Sequence, residues 1–415
     1  ISAEKRYQEL ATTRNHYLDR ARDAACVTLP ALMPREGFEH SSKLPTPYQS
    51  VGARGVNSLS SKLLMAMLPP NVPYFKLKLP EAVLDELTGG EPEMKAEAEA
   101  ALARREATIL QEIDAIGLRA KVSNGFRHLI VTGNILLNIP LDSKRKVRMF
   151  HLDQYCVLRT PQGAPLEVII HEKVSLAGLP ADALEAVQDV VEAERSAGDS
   201  PEPLLNMYSA MIFDKEDNQW VQWQEVKGVK FAERTVPKDK FEYLPLRWTI
   251  IEGESYGRGF AEDFLGDLLS LEGLSKAIVT AAAAAAKVLF LVRPNGTTKI
   301  KALANAPSGA MRQGHTDDVT VLNLEKSADM RVAQSIISQI ENRLNDSFLM
   351  VAGATRDAER VTAEEIRLVA QELEETLGGT YTVLADEFQR PLLTMLTNRM
   401  GAGGRLPPMP KEHLQ

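Results

Sequence analysis

The chain of 415 residues contains only two cysteines, Cys26 and Cys156. So few thiols exclude a disulfide-built scaffold and point to a reducing compartment. There is no CxxC pair, and the seven histidines form no HxxxH or HExxH spacing. Structural zinc and zincin chemistry therefore lack their ligands. No GxxxxGK[ST] loop is present to cradle ATP phosphates, and no GxSxG elbow to raise a nucleophilic serine. Gly253, Gly257 and Gly259 spell GxxxGxG, which reads as a turn ahead of a helix and not as a dinucleotide cradle. Long hydrophobic runs are also missing. The strongest membrane candidate, residues 277–292, is short, mostly alanine and interrupted by Lys287. The opening Ile1-Ser2-Ala3-Glu4-Lys5-Arg6 leads into a polar helix and not into the apolar core of a secretory signal. The sequence reads as a soluble intracellular protein, and the sequons at Asn295 and Asn345 as chance matches.

A positive balance is absent too. Lys and Arg number 48 against 56 Asp and Glu, a formal net charge of −8, so the chain is not built to grip nucleic acid by neutralising phosphates. What it does have is an ordinary apolar fraction of 44% and enough length for more than one structural region.

Hydrophobic periodicity and breakers divide the chain. Helices are expected at about 3–28, 47–68 (stopped by Pro69-Pro70), 92–116 and 122–133. Segments 149–159, 166–172, 206–213, 219–226 and 241–251 are rich in β-branched and aromatic residues, and turn signals separate several of them. They read as one antiparallel sheet, interrupted by a helix at 181–195. Residues 260–292 lack proline and carry Phe264, Leu268, Leu271 and Ile278 at three- or four-residue steps. A continuous helix there would reach roughly 50 Å. A loop-rich insert closes on a strand-like 318–324. Residues 330–350 then form a second helix striped by Val332, Ile336, Ile340, Leu344 and Phe348. Thr362 and Glu365 spell a capping box, and Pro391 predicts a kink in the last helix. The fold class is α+β, mainly α. Small side chains at Ala281, Ala282, Ala285 and Ala286 suit close helix–helix approach between neighbouring copies.

Four ordered stretches resemble the portal, or head-to-tail connector, proteins of short-tailed, podovirus-type bacteriophages. They are Thr46-Pro47-Tyr48-Gln49-Ser50-Val51-Gly52-Ala53-Arg54-Gly55; Val131-Thr132-Gly133-Asn134-Ile135-Leu136-Leu137; Gly253-Glu254-Ser255-Tyr256-Gly257-Arg258; and Arg360-Val361-Thr362-Ala363-Glu364-Glu365-Ile366-Arg367. The resemblance implies a ring of twelve copies at one capsid vertex of the virion, assembled in the host cytoplasm. Through it double-stranded DNA is packaged and ejected. It implies a wing at 1–257, stem helices at 258–292 and 330–350, a clip at 293–329 and a tunnel loop at 351–361. A kinked helix at 362–400 follows, and 401–415 begins a crown or tail. The implied partners are the terminase large subunit, tail adaptor and tail proteins, and the major capsid and scaffolding proteins. No cofactor, metal, catalytic residue or membrane is implied. Within that plan Arg356 and Arg360 become candidates for transient contact with the DNA backbone, and Lys299, Lys301 and Arg312 for the clip surface facing a motor or adaptor. Another ring-forming phage protein, such as a tail adaptor, is the competing structural reading. The clip-like insert between two long helices argues against it.

Overall fold

In the computed structural model the first helix begins where Ser2 supplies a cap, its hydroxyl accepting from the Lys5 amide at 3.5 Å. The structure describes residues 2–38, 42–70, 73–179, 204–285, 289–294, 318–322, 327–350 and 363–407, with a few isolated positions between them. Helix α1 (Ala3–Cys26) buries Tyr7, Arg14, Leu18, Ala21 and Ala25, a stripe at three-, four- and seven-residue steps. Helix α2 is Val51–Met67, starting four residues later than the expected 47. The amides of Tyr48 and Gln49 are already committed to the distant Glu272 carboxylate at 2.9 and 3.3 Å, and the Gln49 side chain caps the Gly52 amide. The short α3 (Glu81–Thr88) is not foreseen by periodicity. Helix α4 is Pro92–Ala115, and α5 (Leu118–Thr132) begins before the expected 122 because Gly117, at φ +62°, turns the chain sharply out of α4.

The middle of the chain makes two antiparallel sheets and not one. Strands β1 (Asn134–Asn138), β2 (Arg148–Phe150) and β8 (Tyr243–Arg247) pair in the order β2-β1-β8. Strands β3 (Tyr155–Arg159), β4 (Pro165–Val174), β5 (Leu205–Asp214), β6 (Gln219–Val226) and β7 (Val229–Pro237) form a meander in sequence order. The single strand expected over 149–159 is split by a turn in which the Gln154 amide bonds the His151 carbonyl at 2.9 Å, sending its halves into different sheets. Strand β1 is buried along all five residues, so no alternation betrays it. Of the helix expected at 181–195, residues 183–185 are helical and most of the rest lie outside the described residues.

The continuous helix expected over 260–292 is overturned. It divides into α6 (Phe260–Asp263) and α7 (Leu265–Ala285), and Leu289–Val292 is strand β9, paired antiparallel with β10 (Val319–Leu322). Apolar periodicity cannot separate a helix from a short buried strand, and Leu289-Phe290-Leu291-Val292 satisfies both. Helix α7 spans 21 residues, about 32 Å. Helix α8 (Ser327–Ser347) returns alongside it, antiparallel, since Arg343 near its end bonds Asp267 near the start of α7 at 2.7 Å. Helices α9 (Ala363–Leu377) and α10 (Gly379–Leu384) lead through a π-helical turn, Ala385–Gln389, into α11 (Arg390–Ala402). The π turn is the irregularity that Pro391 enforces: its ring has no N–H and would collide with the carbonyl four residues back. Thr362 lies outside the described residues, so the capping box is not seen.

One large core joins α1, α2, α5, β1 and α11 through Leu18, Leu59, Leu63, Phe126, Leu129, Leu136 and Leu396. A smaller cluster, with Tyr7, Cys156, Ile169, Tyr208 and Trp223, seats α1 on the five-stranded sheet.

Candidate functional site

Three of the four stretches, those holding Gly55, Asn134 and Gly257, converge on the place where the α7–α8 hairpin leaves the N-terminal body. Gly133 ends α5 at φ +74°, and a Cβ there would lie 2.4 Å from the Arg258 carbonyl carbon, so only glycine fits. The next residue, Asn134, grips Gly257 from both sides. Its Nδ2 donates to the Gly257 carbonyl at 2.7 Å, and its Oδ1 accepts from the Gly257 amide at 2.7 Å. Gly259 presses against the last turn of α5, where a Cβ would stand 2.5 Å from the Val131 carbonyl oxygen. Thr249 and Arg258 close a backbone bridge with two 3.2 Å bonds. Tyr256 is buried, and its hydroxyl accepts from the Val157 amide at 2.9 Å, tying this loop to β3. Burial alone would raise the Glu254 carboxyl, but hydrogen bonds from Tyr17 and Arg258 hold it below its ordinary value.

The other end of the hairpin is seated equally firmly. Phe348, fully buried just past α8, meets Phe260 edge-on at a centroid distance of 5.1 Å and Phe264 at 5.6 Å. Its ring fills the space over Gly55 of α2, where an added Cβ would come within 2.7 Å of Phe348 Cγ. Glu272 of α7 holds the Tyr48 and Gln49 amides ahead of α2, an anion placed where a helix N-terminus welcomes one. Lys62 of α2 pairs with Glu372 of α9 at 2.8 Å.

Beyond this seat, among the described residues, the hairpin packs chiefly on itself. Leu268, Leu271, Ile337, Ile340 and Leu344 are buried between or beneath its helices. Its flanks leave Leu269 at 53%, Val279 at 52%, Val332 at 62% and Ile336 at 42% exposure. Ala281 is half-buried and Ala282 is exposed, while the Ala285 side chain and Ala286 lie outside the described residues. Two helices laid side by side cannot cover the apolar surface these residues carry. Arg356, Arg360, Lys299, Lys301 and Arg312 also lie outside the described residues. Asn134, Glu272 and Phe348 were not singled out as site residues. Their local sequence carries no periodic signal for a contact more than a hundred residues away.

Among the described residues no group of three or more metal-ligating side chains comes together, and no helix is long and apolar enough to cross a membrane. Two histidines do meet: the rings of His128 and His151 lie 4.3 Å apart, and burial, helped by His151, pushes His128 down to about 3.

Residues 2–415 match the family described as bacteriophage head to tail connecting protein. The portal protein of Enterobacteria phage T3 is 37% identical over 100% of this chain and 77% of its own length. That of Escherichia phage T7 is 34% identical over 99% and 76%, and that of Enterobacteria phage SP6 is 30% identical over 94% and 74%. A chain from the neck of an empty gene transfer agent (GTA) particle aligns at 12% identity and a TM-score of 0.38, covering 82% of this chain and 87% of that one; a score so low leaves the fold to be read from this chain itself. With three of its ordered motifs gathered at one joint and residues 2–415 matched, the chain belongs to the bacteriophage head-to-tail connecting family, the portal proteins of short-tailed phages.

Proposed function

We propose that copies of this chain close into a ring, most simply of twelve, around a channel through which double-stranded DNA enters and leaves a phage head. The observation that carries the reading is the apolar flank of the α7–α8 hairpin: Leu269, Val279, Val332 and Ile336 are exposed on a firmly seated element, and copies packing on either side would cover them. In this plan the N-terminal body and sheets form the wing, the hairpin the stem, and the β9–β10 region the clip. Residues 351–361, which lie outside the described residues, take the tunnel-loop place in this plan from the family resemblance. The ring sits at one vertex of the virion capsid, among capsid and scaffolding proteins. Its clip, with Lys299, Lys301 and Arg312, faces the terminase large subunit and later the tail adaptor. We read its role as structural, with the chemistry of packaging supplied by the motor.

The charge balance supports passage over grip. A ring of twelve would carry a formal −96, twelve times the −8 of one chain. A lining rich in Lys and Arg would bind each phosphate register deeply and stall translocation. A few cations at the narrowest point, Arg356 and Arg360, could steady the duplex without reading its sequence. The test is direct. End-on negative-stain images of the purified protein should show rings with a central hole and about twelve lobes, whereas a well-folded monomer that persists at high concentration with scaffold present would refute the reading.

A further inference from the structure

A donor-rich cleft lies away from the hairpin, on one face of the five-stranded sheet. It encloses about 390 Å³ and is lined by Arg145, Ser209, Gln222, Gln224, Arg234 and Tyr243 among others. Gln222 is only 5% exposed, and its Oε1 accepts from Arg234 Nε at 3.1 Å. That bond fixes the amide, because a flipped NH2 would face the guanidinium. Its Nε2 is consequently turned away and has no hydrogen-bond partner among the described residues. A buried amide N–H without an acceptor costs about 1–3 kcal/mol, so a side chain held in this way calls for a ligand that accepts.

The charges around it have the same sign of deficit. Glu242 is 2% exposed and accepts from the Leu141 amide at 2.9 Å and from Arg234 Nη2 at 2.6 Å. Arg145 stands 3.9 Å from the same carboxylate, too far for a hydrogen bond, with its side chain 48% exposed. Two guanidiniums thus share one carboxylate and leave a single surplus positive charge. Arg145 is held in place from behind: buried Arg399 donates to the Arg145 carbonyl at 3.2 Å and to the Ser143 carbonyl at 3.0 Å, fixing the loop that presents it. The sheet is also bent at this point. The β6–β7 register shifts between Gln222 and Gln224, and Ala232 opposite takes φ +53°, a left-handed conformation that alanine rarely adopts.

We infer that this cleft is a docking site for the carboxylate of an acidic peptide segment on a partner protein, received by Gln222 Nε2 and the Arg145 guanidinium. The surplus of one charge matches a carboxylate and is exceeded by a phosphate dianion. The cleft is also several times larger than one oxyanion needs and has room for a side chain with flanking backbone.

The test uses the full-length purified protein and a fluorescein-labelled pentapeptide, Gly-Gly-Glu-Gly-Gly with blocked ends, followed by anisotropy beside its Gln counterpart. The glutamate peptide should bind at least about tenfold tighter than the glutamine one. Arg145→Gln, and separately the isosteric Gln222→Glu, should each weaken it about tenfold to a hundredfold, with thermal unfolding unchanged for Arg145→Gln. Because Arg145 is half-exposed and makes no short ion pair among the described residues, that variant keeps the fold. Equal binding of both peptides, no detectable binding, or full affinity in both variants would overturn the inference. So would displacement of the peptide by inorganic phosphate at concentrations where acetate leaves it bound, since the site would then take phosphate.

Discussion

Replacing Gly55 by alanine sets two effects of opposite sign against each other. Gly55 lies in the interior of α2, where alanine is the better helix former by about 0.5–1 kcal/mol. A Cβ at this position would lie 2.7 Å from Phe348 Cγ and 2.9 Å from Cδ1. Those are ring atoms, wedged against Phe260 and Phe264, and not the loose end of a flexible chain. Moving them is overpacking, which costs about 1–3 kcal/mol, so Gly55→Ala should destabilise the joint by a net ~1–2 kcal/mol. In a chain this long a local loss of that size barely moves a global melting temperature. Hydrogen exchange read by mass spectrometry on peptides covering α2 and the end of α8 resolves it, as exchange faster by roughly 5- to 30-fold. The decisive arm is the background. In Phe348→Leu the smaller side chain yields, and the helix-propensity gain should emerge as exchange slower by about two- to fivefold when Gly55→Ala is added. If Gly55→Ala alone slows exchange in α2, the ring does not hold the position described, and the argument for a tightly seated hairpin fails.

Asn134→Ala should strip both partners from buried Gly257 and cost about 2–4 kcal/mol, seen as protease cleavage near residues 250–258 under conditions where the parent resists. Buried His128, held near 3 against an ordinary 6.5, refuses a proton that the unfolded chain accepts. Stability should therefore be complete above about pH 6.5 and fall on acidification toward 3, by at most ~1.4 kcal/mol per pH unit, and His128→Phe should flatten that slope in unfolding midpoints measured across the window. Leu269→Glu combined with Val332→Glu should leave far-ultraviolet dichroism intact and abolish rings in sedimentation velocity, because both side chains are more than half exposed in one copy. Arg356→Ala with Arg360→Ala should reduce genome retention in assembled particles, and unchanged packaging and retention would remove those arginines from the DNA path.

Much of the helical plan was legible because it is written locally. The stripe of α1 and the Pro92 start of α4 are displayed in this way, and so is the second half of the α8 stripe, where Ile340, Leu344 and Phe348 are buried while Val332 and Ile336 of the same stripe stay exposed. Its strands were less legible. Strand β1 is buried on both faces and shows no alternation, and β7 carries exposed Lys230, Glu233 and Arg234 around a bulge, so neither resembles a strand in isolation. The split of 260–292 had a related origin, since a short apolar run satisfies a helix and a strand alike until a pairing partner at Val319–Leu322 decides.

By itself, then, the sequence determined the mainly helical class with its antiparallel middle, the two apolar-striped helices bracketing an insert, the lack of zinc-ligand and phosphate-loop motifs, and ordered motifs specific enough to carry the family. Tertiary structure alone decided where those motifs meet. Gly133 and Asn134 against Gly257 and Gly259, Gly55 beneath Phe348, and Glu272 on the amides before α2 are contacts between residues far apart along the chain. The physical reason is that periodicity reports which face of an element is buried, whereas the close approach of two backbones depends on which partner the fold brings there.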